Sequence, residues 1–86
     1  MDASHSWEQL FETWPAEAPK TGIIVTSFQE TIPFVDFLTT PGILAVERDR
    51  PDTIGARKVM ISFGAIAAVK MTDVGGLDSL KQMGFC

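Results

Sequence analysis

Apolar positions recur along this chain with two different periods. In SWEQLFETWP, residues 6–15, Trp7, Leu10, Phe11 and Trp14 stand at i, i+3, i+4 and i+7. That spacing gathers side chains on one face of an α-helix. The pattern predicts a helix over 6–14. Ser6 is placed to act as its N-cap, and Gln9 three residues on completes a capping-box pattern. Pro15 ends the helix, because proline cannot continue it, and PAEAPK (15–20) follows as a stiff linker.

From residue 21 the period shortens. TGIIVTSF (21–28) is rich in β-branched residues, which favour strands. IPFVDFL (32–38) predicts a second strand, with Pro33 near its start, where a missing donor is tolerable. Pro41 and Gly42 suit the central positions of a type II turn, the second of which needs positive φ. GILAVER (42–48) predicts a third strand and DRPDTIGA (49–56) a charged loop. RKVMISF (57–63) and IAAVKM (66–71) predict a fourth and a fifth strand, with a tight bend at Gly64. The tail, 72–86, holds one helical turn around Leu77–Met83.

One helix followed by five closely spaced strands points to a small antiparallel barrel, since closure removes exposed edges. A helix over 58–71 is the rival reading, because a continuous apolar run has no diagnostic period. Gly64 and the β-branched residues favour strands. In that stretch Val59, Ile61 and Phe63 form one strand face, and Met60 and Ser62 the other. Neither face is clearly polar, nor is Ile66–Val69. A barrel strand normally keeps one face for water, so a second subunit is expected to cover the outer one.

Length and composition narrow the function classes. Eighty-six residues make one domain that buries roughly 60–65% of its unfolded surface. The chain is 45% hydrophobic and 21% charged, a globular balance. Its net charge of −4 and pI of about 4.7 run against the basic footprint of a nucleic-acid binder. The single cysteine, Cys86, allows no disulfide within the chain, which fits a reducing compartment. MDASHSWEQL does not resemble a signal peptide. The longest apolar run, Val59–Val69, is shorter than the about 20 residues that span a bilayer. A cytoplasmic protein with no membrane partner is expected.

Candidate chemistry is sparse. His5 and Cys86 stand at opposite ends, so a Cys–His nucleophile pair would require both termini to be ordered and adjacent. The soft ligands have no metal-site spacing. Asp49 and Asp52 lack the further oxygens and the glycine offset of a calcium loop. VGGLDSL (74–80) lacks the Lys-Ser/Thr of a phosphate loop. No catalytic, cofactor-binding or metal residue is assigned. Asp36, within FVDFL, shares a strand face with Phe34 and Leu38 by simple alternation. Burial there would raise its pKa and make it a candidate functional carboxylate; an edge position facing water, or a hydrogen bond to a nearby turn, is the favoured reading. The aromatic helix face is either a lid over one end of the barrel or an anchor for a partner.

The element order, GILAVERD (42–49) as a third strand, and MISFGAIAAVKM (60–71) as strand–turn–strand resemble the Sm-like (LSm) small β-barrel family over residues 6–71. The resemblance implies an N-terminal helix on a five-stranded, strongly bent antiparallel barrel of the SH3-like kind. The barrel would occupy 22–71, residues 1–5 a mobile tail, and 72–86 a C-terminal tail. It also implies a homo-oligomeric ring in which strand 4 of one subunit pairs with strand 5 of the next. Val59, Ile61, Ile66, Ala68 and Val69 would then lie at the subunit interface. The family's two ligand loops map to Thr39, Thr40 and Gly42, and to Ser62, Phe63 and Gly64. This chain departs from the family there. The Asp and Asn of the first loop, and the Arg-Gly or Lys-His of the second, are missing. Phe63 is the one residue that could stack on a base; a place in the core is its favoured reading.

The function expected is therefore a non-enzymatic, ring-forming Sm-like scaffold or binding module. The alternatives are an RNA-binding relative with altered loops, and a small enzyme that uses Asp36 at a subunit junction.

Overall fold

The computed structural model describes residues 3–86, so residues 1–2 of the expected N-terminal tail lie outside the described residues. Helix α1 spans Ser4–Glu12. It begins two residues earlier than its apolar period predicts, so residues 4–5 belong to the helix rather than to a tail. Ala3 takes the N-cap position and no side chain caps the end. Ser6 lies inside the helix, and the capping box does not form. The helix ends at Thr13, whose N–H and hydroxyl both donate to the Gln9 carbonyl, at 3.0 and 2.8 Å. Trp14 follows the last turn, yet it packs with Trp7 against the buried Phe11 side of the molecule.

Six strands follow where five were expected: β1 Gly22–Thr26, β2 Thr31–Phe34, β3 Asp36–Thr40, β4 Ile43–Glu47, β5 Lys58–Ser62 and β6 Ile66–Lys70. All six fall within 22–71. They form two antiparallel three-stranded sheets, β2-β1-β6 and β3-β4-β5. The extra strand arises because IPFVDFL divides at Val35. Ile32 and Phe34 face the core, Val35 and Asp36 are both exposed, and Phe37 is buried again. Two successive outward residues reverse the alternation and carry the chain from one sheet to the other. The Val35 N–H still finds a partner, the Glu47 carbonyl at 2.9 Å.

Two short 3₁₀ turns complete the fold. The first, Phe63–Ala65, is the corner from β5 to β6, and the Ser62 hydroxyl oxygen accepts from the Gly64 N–H at 3.1 Å. The second, Leu77–Met83, is the helical turn expected in the tail. Gly42 adopts φ +83° in the β3–β4 hairpin, as its turn position requires. Gly22 is needed for a different reason. A Cβ there would lie 2.7 Å from the Lys70 carbonyl oxygen and 3.1 Å from the Phe34 ring.

The run Ile66–Val69 also departs from simple alternation. The β1–β6 register passes from Val25↔Ala68 to Thr26↔Ile66, which leaves Ala67 as the extra residue of a bulge. Ile66 and Val69 therefore both turn towards the core although they stand three apart. The apolar character of this strand comes in part from that bulge and does not by itself require a second covered face.

Phe11, Ile24, Ile32, Phe34, Phe37, Leu44, Val46, Ile61, Phe63 and Ile66 form the core between the sheets. At one end Phe11 is ringed by aromatics. Its centroid lies 4.9 Å from Phe37, 5.4 Å from Trp14, 6.0 Å from Phe63 and 6.3 Å from Phe34. Trp14 meets Phe37 edge-on at 5.1 Å and anchors its indole N–H on the Pro19 carbonyl at 3.1 Å. The helix is thus a lid on the core.

Truncating this lid should destabilise the fold in proportion to burial. Phe11→Ala is expected to cost about 3–5 kcal/mol, and the half-buried Trp14→Ala less, about 2–3 kcal/mol. Denaturant titration of both variants checks the order. A Trp14→Ala midpoint equal to that of the parent chain would mean that the helix is not a lid.

Candidate functional site

The two loops marked by the family resemblance come together at one end of the second sheet. Ile43 pairs with Ser62 across β4 and β5. The Phe63 N–H donates to the Gly42 carbonyl at 3.1 Å, which ties the β3–β4 turn to the 3₁₀ corner. Helix α1 is seated over both: a Glu8 carboxylate oxygen accepts from the Gly42 N–H at 3.2 Å. Thr39, Thr40, Gly42, Ser62 and Gly64 are exposed, whereas Phe63 is 1% exposed and in contact with Phe11. Phe63 is a core residue and offers no face to a base. The polar surface left at this end consists of hydroxyls, backbone and the Glu8 carboxylate, with no cation among the loop residues.

Asp36 does not share a buried face with Phe34, because the break at Val35 turns it outward. Its carboxylate accepts from its neighbour's N–H, Phe37, at 2.8 Å, and pairs with the Lys20 ammonium at 3.3 Å. These contacts, the backbone donor first, hold its pKa below the ordinary aspartate value, the reverse of the shift that burial would give. Lys20 also sits 4.4 Å above the Phe37 ring. Trp14, Pro15, Ala18, Lys20, Phe37 and Leu38 line a groove of about 410 Å³ beside this pair. The one cation in the groove is already committed to Asp36 and Phe37.

The charged loop is organised by Asp52. One of its carboxylate oxygens accepts from the N–H groups of Ala56 and Ile54, at 2.8 and 2.9 Å, and its own N–H donates to the Ala56 carbonyl. The two backbone donors, Ala56 before Ile54, lower its pKa. Asp52 is thus a structural residue of the loop, a role that the sequence reading did not assign. Among the described residues no cluster of His, Cys, Asp and Glu could hold a metal ion, and no helix is long and apolar enough to cross a membrane.

The residues expected at a subunit interface divide by depth. Ile61 and Ile66 belong to the core, Val59 and Val69 pack against it half-buried, and Ala68 is half-buried opposite Val25. What β5 and β6 leave open is backbone. Among the described residues, β5 pairs only with β4, and β6 only with β1.

The Asp36 contacts yield a titration with a defined sign. Its folded pKa is depressed, so its contribution to stability is present above the ordinary aspartate value and is lost as pH falls through the lowered one. NMR titration should find its midpoint below that of a free aspartate. Lys20→Ala should raise the midpoint part of the way and leave the larger share, due to the Phe37 N–H, in place. Full return to the free value in Lys20→Ala would show that the backbone donor contributes nothing.

Comparisons of this chain with models of protein families, with curated proteins and with solved structures each return no match.

Proposed function

We propose that this chain is a non-enzymatic assembly module of the Sm-like kind, whose copies join head to tail into a ring. In this reading β2 and β3 are the two halves of one strand bent at Val35, and the six strands are the five of a small barrel in the order β6-β1-β2/β3-β4-β5. The observation that carries it is a pair of open strand edges that adjoin along the chain. Of the four end strands, β2, β6, β3 and β5, the two on one side of the sheets, β5 and β6, are joined by a single 3₁₀ turn. An unpaired edge is a template for another chain, and monomeric proteins guard such edges with charge, proline or cover. Here the charges stand only at the far ends, Lys58 and Lys70. Val59–Ser62 and Ile66–Val69 carry none. Pairing β5 of one copy with β6 of the next satisfies both edges by one repeated, heterologous contact, and such contacts close into rings when the rotation allows.

Light scattering should report a multiple of the 9.4 kDa chain mass. Ala68→Asp, which places a charge on β6, should reduce that mass while the circular dichroism spectrum stays native. A monomeric parent chain would end the ring reading, and an unchanged mass in the folded variant would place the contact elsewhere.

The same reading assigns no nucleic acid. The loops at the Gly42–Phe63 end carry no cation, and Arg48, Arg50 and Arg57 share their loop with Asp49 and Asp52. Fluorescence anisotropy with labelled oligo-U and oligo-A should therefore show no submicromolar binding at physiological salt. Tight binding that weakens steeply with added salt would transfer the chain to the RNA-binding alternative.

A further inference from the structure

The outward face of β3-β4-β5 is a surface of three ordered rows. The register aligns Asp36 with Glu47 and Lys58, then Leu38 with Ala45 and Met60, then Thr40 with Ile43 and Ser62. The middle row is apolar and open: Leu38 is 74% exposed and Met60 80%. Ala45 stands between them in the row, and a shallow trough of about 190 Å³ runs from Leu38 and Ala45 to Asp36, Glu47 and Lys58. Helix α1 packs on the opposite side of Phe37; the linker runs along the β3 side, where Lys20 reaches Asp36 at 3.3 Å, and Leu38 and Met60 stay exposed.

We propose that this face docks a second copy of the same chain, across a two-fold axis that runs parallel to β4 and passes over Ala45. The rows themselves select that axis. A half-turn about it exchanges β3 with β5 and keeps each row at its own level. Asp36, which keeps its own Lys20 at 3.3 Å, then faces the other copy's Lys58 as a second cation, and Lys58 faces its Asp36. Leu38 lies against Met60 and Met60 against Leu38, while the small Ala45 side chains meet at the centre and let the sheets approach to about 10 Å. Thr40 meets Ser62. The two Glu47 carboxylates meet near the axis, each with its own cross-strand Lys58 beside it. A half-turn about the perpendicular in-plane axis would set the charged row against the Thr40/Ile43/Ser62 row, where no charge has a counterpart. Self-complementarity of this kind is what an isologous contact requires, and the ion pairs at its rim contribute orientation more than affinity.

The contact is small. Three strands of five residues offer roughly 400–500 Å² per copy, against about 800 Å² in a standard complex. It is therefore reversible on dilution. It does not depend on the strand-edge assembly, because it uses the face of β5 rather than its backbone edge. A lone chain becomes a dimer by it, and a ring becomes a pair of stacked rings.

The test is the particle mass by light scattering and sedimentation velocity, over a dilution series from near-millimolar to low micromolar protein. The parent chain should fall to half its mass on dilution. Met60→Glu and Leu38→Arg, both at exposed positions, should each weaken the association at least about tenfold and leave the half-mass species. Leu38→Arg combined with Met60→Glu should restore the full mass, because the two-fold sets each new charge against its opposite on the other copy. If the mass loss on Ala68→Asp fails to appear, the ring reading falls while this one stands. A mass that neither single variant halves would overturn the proposal and give the face to a partner of different chemistry. So would a double variant that associates no better than the weaker single.

Discussion

The contact on which the rest of this structure depends is the seat of Phe11 among Phe34, Phe37, Phe63 and Trp14. Each of the three core rings belongs to a different element: β2 in the first sheet, β3 in the second, and the corner that leads from β5 to β6. Along the chain the sheets connect through Val35 and through that corner. A sheet with one apolar face must bury it against another element. Here the inner faces, with Ile24 and Ile32 on one sheet and Leu44, Val46 and Ile61 on the other, bury each other, and Phe11 stops the open end. The helix has no side-chain cap to hold its start, and most helical stability comes from packing in any case. Its position therefore follows from the ring cluster rather than from its own ends.

Much of this was legible in the chain. The apolar residues at i, i+3, i+4 and i+7 marked the helix and its buried side, the β-branched runs marked the strands, and Pro41-Gly42 marked the hairpin. What period alone did not supply were the two places where alternation reverses. At Val35–Asp36 two outward residues in succession split one strand into two. At Ala67 a bulge lets Ile66 and Val69 both face inward. Each reversal is a matter of register with a neighbouring strand, which a single segment does not encode. Asp36 shows the consequence. Carrying the alternation of Phe34 through Val35 sets Asp36 on a face with Phe34 and Leu38 and leaves a buried carboxylate open as a reading; the reversal at Val35 decides for the favoured reading, an edge position facing water, in reach of Lys20 and of a backbone donor.

The candidate site was legible as a pair of loops but not as an arrangement. Nothing in TTPG or SFGA announces that the Gly42 carbonyl and the Phe63 N–H would bond, since their proximity follows from β4 pairing with both β3 and β5. Phe63 could be read as core or as a stacking platform until Phe11 was placed against it. Asp52 was missed although its signal was present. An Asp that accepts from N–H groups two and four residues on, with a glycine at positive φ inside the loop, is a known way to close a turn.

Strand β5 gathers these constraints because a strand has two independent directions of contact. Its side chains alternate cleanly, with Val59, Ile61 and Phe63 turned inward and Met60 and Ser62 outward. Its backbone, at right angles to both, has one edge bonded to β4 and one edge open. Hydrogen bonding along the open edge and packing on the outer face do not compete for the same atoms. A domain of this size has a limited interior, so apolar side chains such as Leu38 and Met60 are left in water even when the core is full. The near-absence of charge in KVMISFGAIAAVKM therefore has three separate causes: an inner face that builds the core, a bulge that turns Ile66 and Val69 the same way, and an outer row on β5 that charge guards at only one end, through Lys58 and its neighbours Glu47 and Asp36.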